Sequence, residues 1–171
     1  MPDRRIAIDI RPLVSAAAAD VEALLDRTFG PDRHNRTAYL IRAGMPPFES
    51  LNFAAFQQGR LVGTIQCWPI ALHLDSGGAA SLVMVGPVAI APEQQGMGYG
   101  RALMAAMKAA AEAYGLGEAL MLIGDPEFYG RFGFSAHCTA QWRAPGPVER
   151  HRLLAGGCNV PDTSGMLGPR R

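Results

Sequence analysis

The six residues Gln95-Gly96-Met97-Gly98-Tyr99-Gly100 constrain this chain more than any other stretch. They follow an apolar run, residues 81–91, and precede a run of helical periodicity, residues 101–114. A strand, a glycine-rich turn and a helix in that order make an anion site, because the first turn of a helix has unpaired N–H groups and the positive end of the helix dipole. Glycine at 96, 98 and 100 lets a phosphate approach the main chain with no Cβ in the way.

Any phosphate binding must be local. The formal charge of the chain is only +1, so no global field recruits nucleic acid or an acidic membrane surface, and neither is expected as a partner. With 171 residues, about half of them apolar, the chain is expected to bury a substantial single core. Cys67, Cys138 and Cys158 are scattered and odd in number, which favours a reduced, cytoplasmic setting over a disulfide framework. His34, His73, His137 and His151 show no ligand spacing with them, so no metal is expected. The first twelve residues are charged and lack a signal-peptide core, and no run approaches the ~18 apolar residues of a membrane span.

Taken in order, Ile6, Ile8 and Ile10 alternate with polar or small residues as in a half-buried strand that Pro12 ends. Ser15 is then expected to cap a helix whose residues Ala18, Val21, Leu24, Leu25 and Thr28 fall three and four apart, closed at Gly30-Pro31. A shorter helix is expected over residues 36–43, while Met45-Pro46-Pro47-Phe48 excludes regular helix. Strands over 51–57 and 61–72, joined at Gln58-Gly59-Arg60, read as an antiparallel hairpin. A turn at Asp75-Ser76-Gly77-Gly78 leads to a strand over 82–91 that Gly86-Pro87 interrupts. The helix over 101–114 carries a stripe of Leu103, Met104, Met107, Ala110, Ala111 and Tyr114, and Gly115 stops it. Residues 119–123 suit a buried parallel strand, and Asp125-Pro126 starts another helical turn. Beyond about Ala144, four prolines and five glycines in 28 residues predict an extended, irregular extension packed on or near the domain of residues 1–143.

The order of strand, Gln-x-x-Gly-x-Gly loop, helix, strand and Tyr-x-x-Phe-Gly-Phe resembles the GNAT superfamily of acetyl-CoA-dependent N-acetyltransferases. Gln95, Gly98 and Gly100 match the family's loop motif, Gly96 its frequent extra glycine, and Phe128, Tyr129, Gly133 and Phe134 its later aromatic block. The motifs occupy about 50 residues, while element order agrees from about Ile6 to Phe134. The resemblance implies a mixed, mostly antiparallel α/β sheet with a splayed strand pair, flanked by helices. It implies acetyl-CoA as co-substrate, with coenzyme A held by Val88, Ala89, Ile90, Gln95, Gly96, Met97, Gly98, Tyr99, Gly100, Arg101, Phe128 and Tyr129. Catalysis would fall to the Val88 amide, as oxyanion donor, and to Tyr129, facing the departing thiolate. The implied reaction is acetyl transfer to a primary amine of a small molecule or peptide in a ternary complex. A non-catalytic acyl-CoA sensor of the same fold is the alternative, and a homodimer is an open partner.

The remaining residues leave choices open. Glu49, Asp75, Glu93, Asp125 and Glu127 are all available as a base, and their spacing singles out none. Arg101 and Lys108 suit either coenzyme A phosphates or a solvated helix face. Trp68, Trp142 and His73 are candidates for the acceptor pocket, whereas Cys67, in a strand interior, has no base nearby in sequence. Phe128, Phe132 and Phe134 also suit the core.

Overall fold

The computed structural model describes residues 7–171, so Ile6 lies outside the described residues. The first strand is β1 (Asp9–Pro12), which pairs antiparallel with β2 (Phe53–Gln57). Between them lie helices α1 (Ala18–Phe29) and α2 (Thr37–Ile41). Ser15 does not cap α1. Leu13–Ser15 form a 3-10 turn and the helix starts behind Ala17 with no side-chain cap, Asp20 in its first turn supplying the favourable charge instead. Helix α2 is shorter than its sequence pattern promises.

The hairpin from β2 to β3 (Arg60–Leu74) turns on Gln58 and Gly59, both with positive φ, the two-residue geometry that suits the twist of paired strands. Strand β3 then pairs along its length with β4 (Ala79–Ile90), which starts earlier than the sequence pattern suggests. Helix α3 (Tyr99–Ala113) and β5 (Leu120–Ile123) follow, and β5 pairs parallel with β4. A short helix, α4 (Pro126–Tyr129), comes next, with the Asp125 side chain accepting from the Glu127 amide at its start.

The C-terminal stretch corrects the expectation of irregular chain. Strand β6 (Trp142–Arg143) pairs with β8 (Gly165–Pro169), β8 pairs with the far half of β3, and β7 (Leu153–Gly156) pairs antiparallel with β5. Pro145, Gly146, Pro147, Gly157 and Pro161 lie between these short strands, while Gly156, Gly165, Gly168 and Pro169 lie within β7 and β8. The main sheet order is β1-β2-β3-β4-β5-β7, with antiparallel neighbours except at β4–β5.

Alternation along the strands divides the core. Val83, Val85, Leu120, Leu122 and Leu154 join α1 and α3 on one face, while Leu82, Met84, Met121, Leu153 and Ala155 join Ile41 and Trp142 on the other. Leu103, Met104 and Met107 of α3 are fully buried on the first face. Tyr114, expected in that stripe, falls beyond the helix and is exposed; Tyr99 takes the buried aromatic position instead.

Candidate functional site

Two residues of β4, Gly86 and Pro87, face one residue of β3, Gln66, because Ile65 pairs with Val88 while Cys67 pairs with Val85. This bulge lies where β4 leaves β5. The parallel pairing covers only Val83–Leu120 and Met84–Met121, and the two strands part beyond it. The main chain of β4 past the bulge is therefore open on one side. Its orientation follows from two hydrogen bonds. Val83 donates toward β5, to the Ala119 carbonyl, at 2.9 Å, and Ala91 donates the other way, to Val62 on the β3 side, at 2.8 Å. Alternation back from Ala91 turns the amides of Ile90 and Val88 into the gap and that of Ala89 toward β3.

The glycine loop continues the open main chain. Gly98 has φ +90° and caps α3, and Gly96 has φ +81°, so both positions require a residue tolerant of the left-handed region. Gly100 is helical, and an added Cβ would only touch the Phe128 ring at 3.4 Å, so neither its conformation nor its packing demands glycine. Among the described residues, no protein group accepts a hydrogen bond from the amides of residues 95–101. Seven successive N–H groups leading into a helix start are the kind of donor set that suits an anion. Met97 is half exposed above it, whereas the Tyr99 side chain points into the core and leaves only its main chain for a ligand.

A cavity of about 1010 Å³ occupies the gap. Met84, Val85, Gly86, Pro87, Val88 and Gln95 form one wall, and Ile123, Gly124, Asp125, Phe128 and Tyr129 another. The Tyr129 ring packs edge-on against Phe128 at 4.9 Å and Phe134 at 6.4 Å, and rests on Gly124, where a Cβ would lie 2.5 Å from its Cε2. Burial pushes the Tyr129 hydroxyl up to about 12, with the Arg152 charge acting in the opposite sense. Behind this wall, Lys108 donates to the Phe132 carbonyl at 2.5 Å, which assigns it to holding the turn rather than to a phosphate. Arg101 stays exposed on the first turn of α3.

The third wall was not visible in the sequence pattern. Arg33, Arg36, Tyr39 and Arg42, around α2, line the cavity together with Pro147 and Arg152 from the C-terminal stretch. Arg33 is buried and fully paired: Nε donates to Asp26 at 2.9 Å, Nη1 to the Tyr39 hydroxyl at 2.6 Å, and Nη2 to Glu22. Burial works against this cation, but those three partners outweigh it and raise its pKa. The only sequence signal for this wall is three arginines within ten residues beside an aromatic.

Of the five carboxylates that sequence left open as bases, Asp125 alone lines the cavity, and its side chain is engaged as the α4 cap. Glu93 pairs with Arg27 at 2.7 Å, and Asp75 pairs bidentately with Arg143 at 2.7 and 2.8 Å. The bonds to Arg143 hold the Asp75 carboxyl below its usual range. The three acceptor-pocket candidates lie off this cavity. Trp142 is sealed in the core, His73 Nε2 sits 3.0 Å from the Pro169 carbonyl, and Trp68 lines a smaller adjoining cavity while its Nε1 donates to the Gly86 carbonyl at 2.8 Å. Cys67 is buried, and burial raises its thiol far from the thiolate range.

Comparison with known proteins agrees with this arrangement. The model of the acetyltransferase (GNAT) family matches residues 18–134. The chain is 28% identical over 156 residues to the uncharacterized N-acetyltransferase YhbS of Escherichia coli strain K12, covering 88% of this chain and 90% of that one. It is 27% identical over 165 residues to an uncharacterized N-acetyltransferase of Streptomyces avermitilis, covering 87% of this chain but 39% of that longer protein. Among solved structures, YhbS from Escherichia coli in complex with CoA superposes with a TM-score of 0.71 at 22% identity, over 99% of this chain and 92% of that one. A GNAT family acetyltransferase from Brucella melitensis in complex with acetyl-CoA superposes with a TM-score of 0.58 at 24% identity, over 88% and 96%. At these identities the structures support the fold.

Proposed function

The chain belongs to the acetyltransferase (GNAT) family, and on that premise we propose that it transfers the acetyl group of acetyl-CoA to a primary amine by direct attack. The observation that carries this reading is the continuous free main chain, from the Val88 and Ile90 amides in the gap to the seven unpaired amides of residues 95–101. The loop amides would hold the pyrophosphate. The main chain of Val88, Ala89 and Ile90 would pair with the pantetheine arm, and Phe128 and Tyr129 would close its other side.

The chemistry that follows needs little from side chains. Attack by a neutral amine forms the C–N bond while the carbonyl oxygen gains charge, which the Val88 amide would meet in a site shielded from bulk water. The C–S bond then breaks and the departing sulfur takes a hydrogen bond from Tyr129. Full proton transfer from that phenol is disfavoured: with its pKa near 12 against ~8.5 for a thiol, it would be uphill by roughly 5 kcal/mol. The surplus amine proton leaves to water, since Asp125 is the sole carboxylate on the cavity wall among the described residues and is held as a cap. Positioning of amine against thioester then supplies the larger part of the acceleration.

The test is acetyl-CoA binding followed by thiol release with a panel of amines. A rise in melting temperature with acetyl-CoA and amine-dependent release of coenzyme A support the reading. Acetyl-CoA binding with no turnover on any amine favours the sensor alternative, and no binding at millimolar acetyl-CoA removes both.

A further inference from the structure

Among the described residues, four arginines and one carboxylate, Asp125, line the main cavity. Arg33 is neutralised by Glu22 and Asp26. Arg36, Arg42 and Arg152 have no carboxylate partner among the described residues. Arg36 and Arg152 are exposed, and Arg36 spends one donor on the Phe29 carbonyl at 3.1 Å.

Arg42 is the unusual one. It is only 8% exposed, its Nη1 is closed off from solvent, and no acceptor among the described residues takes it. The guanidinium carbon lies over two rings, 3.7 Å from the Trp68 centroid and 4.1 Å from that of Tyr39. The ring faces partly compensate the cation, but burial still pushes its pKa down to about 10, against the raising influence of Tyr39. A buried guanidinium without a carboxylate is costly, and an anion that reaches it from the cavity relieves that cost. Stacking on rings leaves a guanidinium its in-plane N–H groups for an acceptor, and that edge matches a planar carboxylate.

Arg42 is also in the wrong place for the coenzyme's phosphates. Trp68, on which it stacks, is hydrogen-bonded to the carbonyl of Gly86 in the bulge. A strand rises ~3.3 Å per residue, so the bulge lies roughly 13 Å up β4 from Ile90, and the free amides of the loop begin beyond that. Resting on the acetyltransferase reading, we propose that the acceptor is an amine that also carries a carboxylate, bound by Arg42, with Arg36 and Arg152 adding attraction at the cavity wall.

The test pairs acids with their decarboxylated amines: glycine with methylamine, leucine with isoamylamine, phenylalanine with phenethylamine. Each is assayed for acetyl-CoA-dependent thiol release, and each acetylated acid and matching acetamide is titrated calorimetrically into the CoA-saturated protein. A charge-assisted bond to the carboxylate predicts that in at least one pair the acid exceeds the amine by ~10- to 100-fold in kcat/KM, and that its acetylated form binds ~10-fold tighter than the acetamide. Arg42→Met should abolish that preference while acetyl-CoA affinity stays unchanged. If Arg42→Met does not fold, Arg36→Gln and Arg152→Gln, both at exposed positions, should each reduce the preference by ~3-fold as attraction weakens. The proposal is overturned if the amines match or exceed the acids in every pair, if no acid reacts and no acetylated acid binds while acetyl-CoA does, or if the preference survives these substitutions. Failure of acetyl-CoA itself to bind would instead bring down the acetyltransferase reading beneath it.

Discussion

Two of the three walls of the cleft are made of different groups. The wall from β4 into α3 offers main-chain amides held open by a bulge and by glycines with positive φ. The wall around α2 offers side chains: a paired Arg33, and an Arg42 stacked on rings. A main-chain site is specified by conformation, so its sensitive positions are the ones where any side chain is a fault. A side-chain site is specified by charge, so its sensitive positions are particular residues on an otherwise replaceable scaffold.

The largest expected effect lies on the main-chain wall. Gly98→Val places a β-branched residue at φ +90°, at a cost of roughly 1–2 kcal/mol or more, and the loop shifts to relieve it. Calorimetry should find acetyl-CoA affinity lowered by ~100-fold or more, since several hydrogen bonds to one anion are lost together. Unchanged affinity would mean that the loop geometry is not what holds the donor. Gly124→Ala should come next. Its Cβ would meet the Tyr129 ring at 2.5 Å, and displacing that ring should lower kcat by ~10- to 100-fold with acetyl-CoA affinity nearly intact. Tyr129→Phe removes only the hydroxyl, and should lower kcat by ~10-fold through loss of a hydrogen bond to the leaving thiolate. A wild-type rate for that variant would leave Tyr129 with a packing role alone.

On the side-chain wall, Arg33→Met should cost stability instead of donor binding. Glu22 and Asp26 are largely exposed and can return to water, so a loss of about 1–3 kcal/mol in denaturant unfolding is expected, with acetyl-CoA affinity unchanged. A fall in affinity without a fall in stability would merge the two walls into one site.

How much of this was legible follows from the same contrast. The proposed donor side is readable because a main-chain site writes itself as glycine: Gly96 and Gly98 are required by backbone angle, and Gly86-Pro87 marks the bulge. The order of strands and helices through β5 followed from periodicity, and the type of sheet from the family resemblance. The proposed acceptor side was not readable, because α2 is too short to impose a pattern and Arg42 reaches its partners Tyr39 and Trp68 through tertiary packing. Trp142 and His73 were sensible pocket candidates by chemistry, yet both are consumed by the C-terminal strands. Those strands were themselves hidden, since segments of two to five residues, two of them containing glycine or proline, carry too little alternation to register. Ser15 failed as a cap because the chain spends residues 13–15 on a separate turn before α1 begins.

The smallest effect concerns pH. Tyr129 is held protonated by burial, with a pKa raised from 10.0 to about 12 in the folded chain. A group raised in this way contributes stability in full below its unfolded pKa, and the contribution is lost as pH rises from about 10 toward 12. The pH profile of kcat should therefore have no limb from Tyr129 between pH 7 and 10, and tyrosinate absorbance over that range should count the same number of early-titrating phenols in the native protein as in Tyr129→Phe. A limb near pH 10 that vanishes in Tyr129→Phe would contradict the buried, neutral phenol.

The central claim is that main chain, from Val88 through residues 95–101, holds the donor. Amide hydrogen exchange with and without acetyl-CoA tests it directly. Protection should appear at Val88, Ile90 and residues 95–101, while residues 33–42 stay unchanged until an acceptor is added. Exchange at residues 95–101 that acetyl-CoA leaves unaltered, or protection confined to residues 33–42, would contradict it.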